Sequence, residues 1–148
     1  MIPPTPDIRT TLVLRRTFAA DRPRVFRAWI EPEALQRWLK PNGLNLRVQS
    51  LDARVDGSFQ FDLENGTSII GTYLDLVPPE KLVFTWINQA QPEQGTVVTV
   101  DFREQGSSTE VVLTHRNLRR PELRVRVERG WGLALDTLAE VLSAAPTQ

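Results

Sequence analysis

The stretch ELRVRVERGWGLALDTLAEVLSAA, Glu122 to Ala145, decides how the rest of the chain is read. Val127, Trp131, Ala134, Leu135, Leu138, Val141 and Leu142 recur at three-, four- and seven-residue spacings, with Glu128, Arg129, Asp136, Thr137 and Glu140 between them. That is the signature of an amphipathic helix with one broad apolar stripe. Pro121 suits its first turn and Pro146 lies just past its end. At 1.5 Å per residue such a helix is roughly 35 Å long, enough to cross a small domain.

Working backwards, nearly everything before this helix alternates. Leu12, Leu14 and Phe18 share one face of a strand over Thr10 to Phe18, and Arg16 falls on the same apolar parity. Asp21 and Pro23 open a short helix with Val25, Phe26 and Trp29 on its apolar face; Pro32 begins another carrying Leu35, Trp38 and Leu39. Pro41-Asn42-Gly43 ends it. Six further strands follow, marked by Leu44, Leu46 and Val48; by Phe59, Phe61 and Leu63; by Ser68 to Val77; by Leu82, Phe84 and Trp86; by Val98, Val100 and Phe102; and by Thr109, Val111, Leu113 and His115. Asn65-Gly66 is a strong hairpin signal, and Gln89 to Gly95 reads as a polar loop. In the strand from Ser68 to Val77 the inward face is ambiguous, because Ile69 and Tyr73 oppose Ile70, Leu74 and Leu76.

Strands joined by short turns imply an antiparallel sheet with one apolar face, and the long helix is the one large cover available for it. The expected class is α+β: a curved antiparallel sheet wrapped around a C-terminal helix, with two short helices after the first strand. Residues 1–9, with Pro3, Pro4 and Pro6, read as an extended lead-in, and residues 10–146 as one domain.

Composition removes several chemistries. Without cysteine there is no disulfide, thiol nucleophile or thiolate metal site, and one histidine cannot build a multi-histidine metal site. Eighteen basic residues balance eighteen acidic ones, so net charge gives no reason to expect nucleic acid. No run approaches a membrane span and the opening residues lack the apolar core of a signal peptide, which favours the cytoplasm. No phosphate-binding glycine loop, nucleophile elbow or paired glycosidase-type carboxylates occur, so no cofactor is expected and the sequence does not announce an enzyme.

The order of elements, and particular residues on them, resembles the START-like (SRPBCC, Bet v 1-like) helix-grip superfamily, and within it bacterial proteins similar to the heat shock protein 90 ATPase activator. The likeness is carried by Arg16-Thr17-Phe18-Ala19-Ala20, Pro23 through Trp29, Pro32-Glu33-Ala34-Leu35 with Trp38, Gly71-Thr72-Tyr73, Pro78 through Trp86, Thr109 through His115, and Gly130-Trp131 followed by Leu135, Leu138 and Leu142. It covers about residues 10 to 144. It implies a helix-grip fold with an apolar cavity between sheet and helix, in a superfamily that includes lipid carriers, cyclases and co-chaperones.

If the apolar parities face inward, Phe59, Phe61, Phe84, Trp86 and Phe102 line a wall beneath Trp131 and Leu135, with Trp38 closing one end. An ordinary packed core gives the same pattern. An apolar pocket with few polar groups is the usual form of a small-molecule site, and the polar residues at inward parity are Arg16, Ser50, Asn88 and His115, with Tyr73 beside them. Arg16 could neutralise a ligand carboxylate, but such an arginine more often pairs with a protein carboxylate or lets its head reach water. His115 suits a ligand contact, a general base, or a backbone-satisfied histidine at the sheet rim. Gly130 and Gly132 weaken a helix by about 1 kcal/mol each relative to alanine. They fit a pocket mouth, close packing against a strand, or a helix whose regular part begins after Gly132. Arg116, Arg119, Arg120, Arg124, Arg126 and Arg129 crowd the approach to the helix, most simply as a solvated face, with a docking patch for an acidic partner or an anion site as the alternatives.

The leading expectation is therefore a binding protein for a small hydrophobic or amphipathic molecule. The alternatives are a chaperone-activator-like interaction module and a cyclase- or hydratase-like enzyme using His115. Exposed sheet edges are compatible with a homodimer.

Overall fold

The computed structural model describes residues 10–91 and 95–143. The lead-in over 1–9, positions 92–94 of the polar loop, and Ala144, Ala145 and Pro146 of the helix end lie outside the described residues. Seven strands, β1 (Leu12–Phe18), β2 (Leu46–Leu51), β3 (Ser58–Leu63), β4 (Ser68–Val77), β5 (Lys81–Asn88), β6 (Thr96–Gln105) and β7 (Ser108–Arg116), accompany helices α1 (Arg22–Ala28), α2 (Pro32–Trp38) and α3 (Pro121–Ser143), with one tight helical turn at Pro41–Gly43.

The strands form one antiparallel sheet in the order β1-β7-β6-β5-β4-β3-β2. The topology follows from local signals. From β2 onward every connection is short, so successive strands pair as a meander that returns to β1. The α1–α2 segment carries the chain from one sheet edge to the other. Asp21 caps α1 by accepting from the Arg24 amide at 3.0 Å, and Pro23 sits in its first turn. Thr109 Oγ1, fully buried, donates to the Ala20 carbonyl at 2.8 Å and ties the entry of α1 to β7.

The fold is the α+β helix-grip class that the alternation implies. α3 lays Trp131, Ala134, Leu135, Leu138 and Leu142 against the sheet, all buried, and runs without interruption through Gly130 and Gly132. A helix beginning only after Gly132 is therefore excluded. Close packing does not demand glycine at that position either. A methyl group at Gly132 would meet only Arg16 Nη2 at 3.9 Å, an ordinary contact.

Two irregularities decide which side chains face inward. The register of β2 on β3 shifts between Val48 and Ser50, so Val48 lies opposite Phe61 and Leu51 opposite Phe59. Simple alternation puts Ser50 on the inner face; the bulge turns it outward, and Ser50 is exposed. A second shift between Tyr73 and Asp75 resolves the ambiguity of β4. Ile69, Gly71 and Tyr73 face in before it, Leu76 pairs with the buried Leu82 after it, and Leu74 is left outside.

Gly71 is required where it stands. A β-carbon there would collide with the Thr85 carbonyl and with the ring of Phe59, which lies across the bare backbone. Gly71→Ala is expected to cost about 3 kcal/mol, at the upper end of overpacking penalties. Gly132→Ala, with an ordinary neighbour and a helical backbone, is expected to stabilise by up to about 1 kcal/mol. Urea midpoints of the two variants against the parent check both signs.

Candidate functional site

The expected pocket wall is largely a packed aromatic cluster. Phe59 and Phe61 stack with ring centroids 4.6 Å apart; Phe84 lies edge-on to Phe59 at 5.8 Å and tilted against Trp86 at 6.2 Å. Trp29 stacks on Trp131 at 5.9 Å and meets Trp38 edge-on at 4.6 Å. The space left among Trp29, Phe59, Phe61, Tyr73, Phe84 and Trp131 is only about 10 Å³, at the limit for one water molecule. Phe102 and Leu135 are fully packed core. Trp38, also fully buried, is fixed by its indole N–H donating to the Ala28 carbonyl at 2.8 Å. The Trp29 indole N–H, by contrast, is buried with no acceptor among the described residues.

Arg16 does not enter a pocket. Its parity is inward, as alternation implies, but its head lies across α3, with Nε 3.7 Å from the Asp136 carboxylate. Both groups are substantially exposed, so the pair contributes little energy. Tyr73 is buried against Phe59 and Phe84, and burial, with a smaller contribution from the Asp52 carboxylate, holds its hydroxyl well above the ordinary tyrosine value.

The open cavity is at one end of the sheet, not beneath its centre. It measures about 110 Å³, at the floor of a depression of about 810 Å³ that includes solvent space. Its strand walls are all strand ends: Leu63 of β3, Ile69 of β4, Trp86 and Asn88 of β5, Thr96 of β6 and His115 of β7. α3 supplies Arg126, Val127, Gly130, Trp131 and Ala134, and Lys40 and Pro41 complete the rim. Of the residues expected from sequence, the fold brings Trp86, Asn88, His115 and Trp131 to this cavity, with Gly130 at its mouth. Trp86 and Trp131, centroids 5.4 Å apart, line both this cavity and the small inner void and so separate them.

Sequence reasoning missed Thr96 and the rim residue Lys40, and assigned Arg126 to the arginine-rich approach to the helix without placing it at the cavity. Thr96 was legible: it shares the parity of Val98, Val100 and Phe102 one step earlier in β6, and is 5% exposed. The rim residues belong to segments distant in sequence that pack together only in the fold.

His115 sits at the back of the cavity, fully buried, in a hydrogen-bond chain whose direction is determined. The Trp131 indole N–H, which can only donate, is 3.0 Å from His115 Nδ1, so Nδ1 accepts and the ring proton is on Nε2. Nε2 is 2.6 Å from Thr96 Oγ1, which donates its own proton to the Trp86 carbonyl at 2.8 Å. Both ring nitrogens are committed, leaving no free lone pair for general-base chemistry in this arrangement. Burial pushes the imidazole down to about 3, far below its ordinary 6.5.

A helix gripped by a curved seven-stranded antiparallel sheet, with a cavity at the open end of the grip, defines the SRPBCC or Bet v 1-like class. The family described as activator of Hsp90 ATPase homolog 1-like protein matches residues 19–143, and the chain belongs to that family. No curated protein sequence matches the chain. Among solved structures, it is similar to protein CV1439 from Chromobacterium violaceum, at 26% identity and TM-score 0.80 over 93% of this chain and 100% of that one. It is also similar to CalU16 from Micromonospora echinospora, at 26% identity and TM-score 0.70 over 90% and 76% of the two chains. An HSP90 activator from Plasmodium falciparum, 23% identical, shares the fold with TM-score 0.73 over 90% and 96%. No helix among the described residues is long and apolar enough to cross a membrane.

The buried imidazole carries a pH signature. Unfolded His115 takes up a proton near 6.5 whereas the folded ring resists until about 3, so between these values the unfolded state binds more protons and stability falls as pH falls. The expected loss is about 1.4 kcal/mol per pH unit in that window. Comparing urea unfolding of the parent with His115→Gln at pH values across the window isolates this contribution from that of the carboxylates: the parent should lose stability more steeply.

Proposed function

We propose that this protein binds a small amphipathic molecule in the cavity at the open end of the sheet, with an apolar body against Trp86 and Trp131 and a polar head toward the rim. The observation that carries this reading is the cavity itself: an apolar floor of about 110 Å³, open to solvent, beside a core that is otherwise filled. An apolar cavity of about 150 Å³ accommodates benzene; at about 110 Å³ the unliganded floor suits a short alkyl group, or a single ring that extends partly into the opening. A larger molecule would extend into the surrounding depression. The packed cluster of Phe59, Phe61 and Phe84 supports the ligand from behind instead of touching it, and the side-chain amide N–H groups of Asn88 supply polarity on the wall.

The test is ligand-observed NMR with a library of small aromatic and aliphatic amphiphiles, repeated with Val127→Trp. Val127 is half-buried on α3 and faces the cavity, so an indole there fills the opening. Saturable binding to the parent, reduced at least tenfold in the folded variant, is expected. No saturable ligand, or binding indifferent to Val127→Trp, overturns the reading.

A second reading follows from the family: a protein-interaction module that stimulates the Hsp90 ATPase. It is favoured by the outer side of α3, where Val125 and Leu133 are 57% and 55% exposed and a shallow depression is lined by Arg126, Arg129, Gly130 and Leu133. Apolar side chains interleaved with arginines fit an acidic amphipathic partner surface. Added to Hsp90, the chain is then expected to raise steady-state ATP turnover, and the double variant Arg129→Glu/Leu133→Asp to abolish the increase. Unchanged turnover with the parent chain removes this reading.

A further inference from the structure

We propose that the cavity selects a ligand carrying an anionic head, recognised by Lys40 and Arg126. The inference rests on the ligand-binding reading of the cavity and adds to it the charge class of the ligand. Lys40 stands immediately before the helical turn at Pro41–Gly43 and is half-buried; Arg126 stands on the first half of α3 and is exposed. Both line the cavity. They reach it from two segments that pack against each other at its mouth, so two positive charges flank the same opening.

Three observations give those charges a direction. No carboxylate is among the described residues that line the cavity. Of the arginines nearby, Arg16 pairs with Asp136, Arg120 with Glu122, and Arg124 with both Glu128 and the Thr11 carbonyl, whereas Arg129, on the outer side of α3, has no such partner among the described residues. Among the described residues neither Lys40 nor Arg126 makes an ion pair. The remaining polar groups on the wall are neutral. Asn88 spends its carbonyl oxygen on the Ala90 amide, and the Thr96 and His115 protons are committed within their own chain. The rim is therefore cationic over a neutral apolar floor. An apolar cavity with walls of low dielectric strengthens the attraction of such charges for an anion that enters it. Arginine adds paired N–H donors matched to a carboxylate, and lysine a compact charge.

The chemistry that fits is a monoanion with a small apolar body, such as an aryl or short alkyl carboxylate. A neutral alcohol of the same shape gains only the apolar contacts, and an amine meets like charge.

Phenylacetate, phenylethanol and phenylethylamine share one ring and differ in head-group charge. Each is titrated into the full chain by ligand-observed NMR, with quenching of tryptophan fluorescence as a second readout. Phenylacetate is expected to bind about tenfold more tightly than phenylethanol at low salt, with the advantage shrinking as salt rises, and phenylethylamine more weakly than either. Lys40→Gln and Arg126→Gln, on the rim and outside the core, should each weaken phenylacetate several-fold and leave phenylethanol unchanged. Equal binding of acid and alcohol, or phenylacetate binding unaffected in both variants, overturns the charge inference while leaving the cavity a ligand site. Failure of all three probes to bind at the cavity overturns the inference together with the reading on which it rests.

Discussion

The hydrogen-bond chain from the Trp131 indole through His115 and Thr96 to the Trp86 carbonyl holds the rest of the site in place. It links α3 to β7, β6 and β5 in succession, with every proton position determined by the fact that an indole N–H can only donate. In a buried setting each of these bonds contributes modestly when made, and each is expensive to leave unmade. Losing one partner would strand the others, so the geometry is strongly constrained. The helix is thereby pinned at one place, and the cavity lies directly in front of that pin.

That constraint also accounts for the contrast between the two ends of the interior. Behind Trp86 and Trp131 the aromatic rings interlock and almost no space remains. In front of them the strands end, the side chains shorten to Thr96, Asn88 and Ala134, and Gly130 adds no bulk to the helix. A long curved sheet gripping one helix fills well where aromatic side chains converge, and poorly where only strand ends and a helix approach. The cavity is the part of the grip that the aromatics do not reach.

The same picture reassigns the polar residues. His115 has the burial and the position of a site residue, yet its nitrogens serve structure. Arg16 has the correct parity and pairs outside the pocket with Asp136. The charged residues that do line the cavity are Lys40 and Arg126, neither of which belongs to the alternating pattern of any strand.

What the sequence by itself determined was the architecture: the periodicity of Val127 to Leu142, the alternation of the strands and the Asn65-Gly66 turn specify a sheet gripping a helix, because period and turn chemistry are local properties of the chain. The family likeness was legible for the same reason, in short ordered segments such as Pro32 to Leu35 and Thr109 to His115. Only the tertiary structure decided which side chains face the interior at Ser50, Tyr73 and Leu76, since a bulge arises from how two strands pair and leaves no mark in the alternation of one. Only the tertiary structure decided that the interior is filled at its centre and open at one end. Cavity volume is what remains after the side chains from many segments have packed, and that remainder is a property of the whole fold.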